Sequence, residues 1–308
     1  MKIKLRVMVT VGVLLLTATG CDDARLKAFS DFAACGSAYV AGFHSLTKAV
    51  AEAEMAKSNS ILLDVRERMY TPPAGSAEEE KASQKSLQQG VETNTKILQE
   101  YLKNLRKLDA HATALGAYFK ELASYTSDKN SDAISSSTQA LADSIESLAP
   151  GIEKMKFGTF AVGAARTTGN LVIAHIQVKT LEKILERDLP ALNKAFALQE
   201  QAVNALSEDL ADSVGAATTL AEVNKVYLPY MNRGRLPSGW EAERERVIRR
   251  TVIVGNADGA KQAITELRAA FVALVENKPA PVDVHSILDA VEKMSGYAEA
   301  VQDGASSN

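Results

Sequence analysis

Cysteine is too scarce in this chain to build the fold. There are two in 308 residues, Cys21 and Cys35, so no disulfide framework is possible and stability has to come from an apolar core. The sequence also lacks the arrangements that carry most chemistry. The four histidines, His44, His111, His175 and His285, are scattered. None forms the i, i+4 pair of a zinc helix or stands beside a cysteine cluster. No serine sits in a nucleophile elbow. Acidic pairs such as Glu208-Asp209 are what any solvated helix face carries. The stretch Arg250 to Gly259 superficially resembles a strand entering a phosphate loop, but Ala260-Lys261 follows where Gly-Lys-Ser/Thr is required. A helical stripe through Ile253, Ala257, Ala260 and Ile264 accounts for the same residues. These absences argue against an enzyme and give no reason to expect a cofactor, a metal or a small-molecule ligand.

Long hydrophobic runs are missing as well. The longest near the start, Val7 to Leu16, falls short of the roughly 20 apolar residues that span a bilayer. It follows Lys2, Lys4 and Arg6 and precedes the small residues Thr17, Ala18, Thr19 and Gly20, which is the three-part order of an export signal. An ordinary secretory signal and an uncleaved anchor are the competing readings. Favouring neither, Cys21 stands where the small-residue cleavage region ends.

The run Leu16-Thr17-Ala18-Thr19-Gly20-Cys21 resembles the lipobox of bacterial lipoproteins. The position three before the cysteine, usually Leu, is Ala18 here. The resemblance covers only these first residues. It implies that the Cys21 sulfur receives a diacylglycerol, that cleavage removes residues 1–20, and that the new amino terminus is acylated. Asp22 and Asp23 resemble the signal by which enteric-type lipoproteins avoid sorting to the outer membrane. This implies an inner-membrane anchor facing the periplasm, with the outer membrane as the other possibility. Several acyl chains on one terminus anchor stably, because each buried CH2 contributes about 0.8 kcal/mol. Removing residues 1–20 takes three bases and no acid from a chain of net charge −3, leaving −6. A mildly acidic protein is a poor partner for nucleic acid or anionic lipid. With Cys21 lipidated, Cys35 has no intramolecular partner and reads as a small buried hydrophobe.

Beyond Cys21 the periodicity is helical throughout. Leu87, Val91, Asn94, Leu98, Tyr101, Leu105, Leu108, Ala112, Leu115, Phe119 and Leu122 alternate by three and four, which predicts a helix from about Ala77 to Tyr125. Asn94 is its one polar member, placed either to fix register or at a hydrated edge. Phe29, Phe32, Gly36, Tyr39, Phe43, Leu46, Val50 and Ala53 form an earlier stripe, which shifts phase toward Ile61, Leu62, Val65 and Met69. Thr71 to Gly75 ends it, and Ser76 with Glu79 makes a capping box. Ile134, Thr138, Leu141, Ile145, Leu148, Ile152 and Met155 continue the pattern, with a break or kink at Pro150-Gly151. Pro190 opens a further helix toward Tyr227. Pro229 to Gly239 is the longest connection, and Ser238 with Glu241 makes a second capping box. Two helices follow, separated by Lys278 to Pro281. The expected fold is all-α: an elongated antiparallel bundle of about seven helices with coiled-coil-like packing, over residues 21–308, with 21–150 and 151–303 as possible sub-bundles.

Three functions compete. The first is a membrane-tethered interaction or scaffold protein of the cell envelope, which needs protein partners and the lipid anchor. The second is a helical toxin-like or exclusion-type lipoprotein acting on membranes or incoming material, for which Phe157 to Val178 is the apolar candidate. Arg166, Asn170 and His175 interrupt that segment, so it reads as a buried helix. The third is an enzyme whose site the sequence does not reveal. The basic run Arg244, Arg246, Arg249, Arg250 is interleaved with Glu241, Glu243 and Glu245 and reads as a salt-bridged surface helix.

Overall fold

The heptad stripe after Ala77 folds as expected, but only half of it is core. The computed structural model describes residues 2–70, 77–128, 131–152, 181–232, 234–253, 258–276 and 283–306; side chains before Arg25 are not among those described. Helix α1 runs Lys2–Tyr70, α2 Ala77–Asp128 and α3 Ser131–Ile152. The 52 residues of α2 extend about 78 Å at 1.5 Å each. Glu78, Glu79 and Glu80 occupy its first turn, where carboxylates complement the helix dipole. Leu105, Leu108, Ala112, Leu115, Phe119 and Leu122 are buried. Val91, four turns earlier on the same stripe, is 47% exposed, and Leu87, Asn94 and Leu98 are only half-buried. The outer half of α2 packs chiefly on α1, and a two-helix hairpin cannot close both sides of an apolar seam. Asn94 is neither a buried register residue nor merely hydrated: its side-chain oxygen accepts a hydrogen bond from the Ser58 hydroxyl across the hairpin.

The remaining helices wrap the inner half of this hairpin. Helix α4 is Leu181–Ala221, followed by a π-helical turn, Glu222–Tyr227, and a short α5, Leu228–Met231. Then come α6 Trp240–Ile253, α7 Asp258–Val275 and α8 Val284–Ser306. Counting Leu181 to Met231 as one rod, seven helical rods and no strand appear among the described residues. Pro190 does not open α4 but lies inside it. An interior proline costs about 3 kcal/mol in isolation. Here Leu181, Ile184, Leu185, Ala191, Leu192 and Ala195 form one uninterrupted buried stripe across it, and tertiary burial outweighs the local preference. Helix α3 likewise continues through Pro150 to Ile152. The second capping box does not form, because Gly239 adopts φ +85° and α6 starts after it at Trp240, one residue too late for a serine cap at 238. Ser76 and residues 153–180, including Phe157 to Val178, lie outside the described residues.

Cross-links set the direction of each rod. Helices α1 and α2 are antiparallel, with His44 beside Asp109 and Ser58 beside Asn94. Helix α4 is parallel to α1, since Arg25 pairs with Glu182, Tyr39 with Gln199, and Glu54 with Ser213. Helix α8 is parallel to α1 too, the Cys35 thiol lying against the Val284 carbonyl and Gln302 reaching the Ser45 carbonyl. At the centre four rings from four helices meet. Phe32 contacts Phe119 at 5.5 Å and Phe271 at 5.7 Å between ring centroids, and Phe196 lies 5.4 Å from Phe271. One continuous core therefore joins residues from both halves of the chain. Two glycines permit this closeness. A Cβ on Gly36 would lie 2.5 Å from the Phe119 ring, and one on Gly259 would lie 2.7 Å from the Lys293 Cβ.

Candidate functional site

The bundle has two unlike ends, and the sequence-derived site belongs to the first. Cys21, Asp22 and Asp23 fall within the backbone of α1, and their side chains are not among those described. The core begins close behind them. Phe29, eight residues on, is buried, and eight helical residues rise only about 12 Å. Leu181, where α4 begins, sits at this same end, because Arg25 pairs with Glu182 at 3.2 Å. Among the described residues no helix is long and apolar enough to cross a membrane.

Three polar clusters inside the bundle were not visible in the sequence. The first is a buried pair on α4, Arg187 with Asp188, at 2.7 Å. The Arg187 guanidinium also donates to the Ser135 hydroxyl of α3 at 2.6 Å. Burial raises the Asp188 pKa, and the hydrogen bonds from Arg187, Thr138 and Tyr118 offset that only in part. The second joins α1, α2 and α4. Lys57 donates to Ser213 at 3.3 Å and pairs with Glu54 at 3.2 Å, while Ser213 donates to Glu54. Tyr101 donates to Asp209 at 2.8 Å, and burial raises the Asp209 pKa. A serine beside a lysine suggests nucleophilic catalysis, which needs a neutral lysine taking the serine proton. Here the ammonium donates to the serine and the serine proton points at Glu54, so the group acts as a clasp between three helices. The third is the half-exposed pair His44 and Asp109 at 2.5 Å, whose carboxylate also accepts from Thr47 at 3.2 Å.

The remaining histidines form no cluster among the described residues. His111 is fully buried, and its Nδ1 bonds the Ser144 hydroxyl at 2.8 Å. His285 takes a backbone bond from its amide to the Asp283 carboxylate, at the start of α8. His175 lies outside the described residues. Among the described residues no group of three or more His, Cys, Asp or Glu side chains could hold a metal ion. Cys35 is buried, and desolvation, with a smaller push from Asp31, raises its thiol to about 11, which keeps it protonated and inert.

The second end holds the stretch from Pro229 to Gly239, the longest connection in the sequence, together with the helical turns before it. Ser213 lies level with Glu54, so the rod from α4 to Met231 continues about 27 Å further, toward the tip of the α1–α2 hairpin. Pro229 cannot donate to Lys225, so a regular helix would lose that bond here. The chain instead widens into the π turn, with the Leu228 amide donating to the Val223 carbonyl. Such turns recur at functional sites. Around it, Tyr230 is 67% and Met231 69% exposed, and Tyr227, Leu228 and Leu236 are exposed too. Trp240, the only tryptophan, stacks on Tyr230 at 5.5 Å and donates from Nε1 to the Val226 carbonyl at 3.0 Å, which fixes the cap to the rod. On α6, Arg246 pairs with Glu243 at 2.8 Å. The arginine-glutamate run is thus partly salt-bridged, as its spacing indicates.

No protein-family model, curated protein or solved structure matches the chain.

Proposed function

We propose that this protein is a membrane-tethered interaction protein of the bacterial cell envelope, lipidated at Cys21 and acting as a helical stalk without catalytic chemistry of its own. Asp22 and Asp23 favour the periplasmic face of the inner membrane. One observation carries the reading. The candidate anchor joins a rigid bundle within a few turns of α1, and the opposite end of that bundle, some 70 Å along, exposes a fixed aromatic cap. A short rigid mount sets height and orientation, which matters for presenting a surface and is irrelevant to a freely diffusing catalyst. Exposed contiguous apolar groups on a folded protein mark interaction sites more often than chance. The interior polar clusters fit this role, since their hydrogen bonds are spent between helices.

The anchor is tested by metabolic labelling with a fatty-acid probe. The natural chain is expected to take label and lose residues 1–20. Cys21→Ser is expected to lose the label and retain those residues. Equal labelling of the two would overturn the lipoprotein reading.

A further inference from the structure

We propose that the junction of Tyr101, Asp209, Glu54, Lys57 and Ser213 is a pH-operated clasp, which holds the outer part of α4 more tightly to the α1–α2 hairpin as the medium turns acid. Its position gives it that leverage. It ties α4 to both hairpin helices, one turn of α2 beyond Leu105, the last buried residue of its stripe. Further out, in residues 214–231, only Val214, Ala217, Thr218 and Val226 are buried, with no leucine or aromatic side chain among them. So small a buried apolar surface puts this stretch at the low-stability end of the molecule, where opening is local. The same stretch carries Tyr230, and its Val226 carbonyl holds Trp240.

The charges at the junction do not balance. Asp209 faces Glu54 and Lys57 of α1, Tyr101 of α2, and Asp212 on its own helix. One ammonium therefore serves three carboxylates, of which Glu54 and Asp209 are half-buried. Lys57 is drawn to Glu54 at 3.2 Å and to Ser213 at 3.3 Å, and the hydrogen bond to Asp209 comes from the Tyr101 hydroxyl at 2.8 Å. Burial, joined by the charges of Glu54 and Asp212, raises the Asp209 pKa, and Tyr101 and Lys57 offset this only in part. An acid that ionises less readily in the closed clasp than in the open one takes up a proton on closing. Acid therefore favours closing, from the raised value down to the ordinary one near 3.9. Protonation relieves the repulsion from Glu54, and the carboxyl still accepts from Tyr101 through its carbonyl oxygen.

Hydrogen exchange of the full lipidated protein, read by mass spectrometry, tests this against Asp209→Asn, which keeps the shape of the protonated acid without its charge. Comparing the two chains at each pH cancels the intrinsic pH dependence of exchange. At pH 7 the natural chain is expected to exchange the amides of residues 214–226 about threefold faster or more than the variant, and the gap should close as pH falls toward 4. Amides around Phe196, deep in the core, should not differ. Tyr101→Phe removes the donor to Asp209 and should speed exchange of residues 214–226 at pH 7 beyond that of the natural chain. Equal rates in the natural chain and Asp209→Asn at pH 7, or a gap unchanged toward pH 4, would overturn the proposal. So would the same gap at Phe196, which would make Asp209 a contributor to global stability and not a local clasp. Should Asp209→Asn fail to fold, Tyr101→Phe decides alone, and exchange equal to that of the natural chain would overturn the clasp.

Discussion

Leu105→Asp is expected to abolish cooperative folding, while Val91→Asp leaves the melt almost unchanged. Both residues lie on one heptad stripe of α2, fourteen positions apart, and pattern alone makes them equivalent. Leu105 is 4% exposed, level with the six-helix core, whereas Val91 is 47% exposed on the two-helix hairpin. The first change removes a buried leucine side chain, a loss of about 2–5 kcal/mol, and leaves a carboxylate in an apolar site. Together these approach the whole stability of a typical domain, about 5–15 kcal/mol. The second change puts a charge where water already reaches and costs about 0.5 kcal/mol or less. Circular dichroism melts of the two variants decide it. Equal losses would show that the hairpin is buried as deeply as the bundle, and equal tolerance would show that Leu105 is not core.

The second large effect is with pH. His111 lies between α2, α3 and α4, and Ser144 donates its own hydroxyl to the Leu141 carbonyl at 2.6 Å. Ser144 therefore accepts from the Nδ1–H of His111, and the imidazole is held neutral. Burial lowers its pKa to about 4, and the Ala195 carbonyl, which would bond the charged form, offsets this only in part. Unfolded, the ring titrates near 6.5. Between those values the unfolded chain binds the extra proton, so this contribution is full above pH 6.5 and is lost as pH falls toward 4. The shift corresponds to about 3 kcal/mol. Asp188 and Asp209 have raised values, and their contributions change in the opposite sense, growing as pH falls. A comparison with His111→Gln isolates the histidine. Urea midpoints of the natural chain are expected to fall relative to the variant between pH 6.5 and 4, and parallel curves would contradict a buried neutral His111.

The contrast between Leu105 and Val91 also shows what the sequence could tell. Apolar period specifies that a helix forms and which face it buries, so the rods and most of the turns were legible. Period does not say how many neighbours reach that face. The depth of the core therefore had to come from the packing of α3, α4, α7 and α8. Pro190 misled because a local signal for a helix start was overridden by a buried stripe on both sides of it. The Glu54, Lys57 and Ser213 clasp was invisible, since Ser213 lies 156 positions from Lys57 and 159 from Glu54, and the Glu54–Lys57 pair alone looks like an ordinary surface ion pair three positions apart on one helix. The cap was half legible. The turn-rich stretch from Pro229 to Gly239, the lone Trp240 and the arginine concentration were all in view, and only the stacking of Trp240 on Tyr230 made them one surface.

Trp240 supplies the most direct test of the central claim, because it is the only tryptophan in the chain and it marks the end opposite Cys21. The lipidated protein would be placed in vesicles containing lipids that carry a quencher in the acyl region, and its intrinsic tryptophan fluorescence compared with that in quencher-free vesicles. A stalk anchored at Cys21 holds Trp240 tens of ångströms above the bilayer, about 60 Å or more at 1.5 Å per helical residue, far beyond contact quenching. The account predicts unquenched emission that a water-soluble quencher reaches readily. Strong quenching by the lipids would contradict it, placing the cap in the membrane and not at the far end of a stalk.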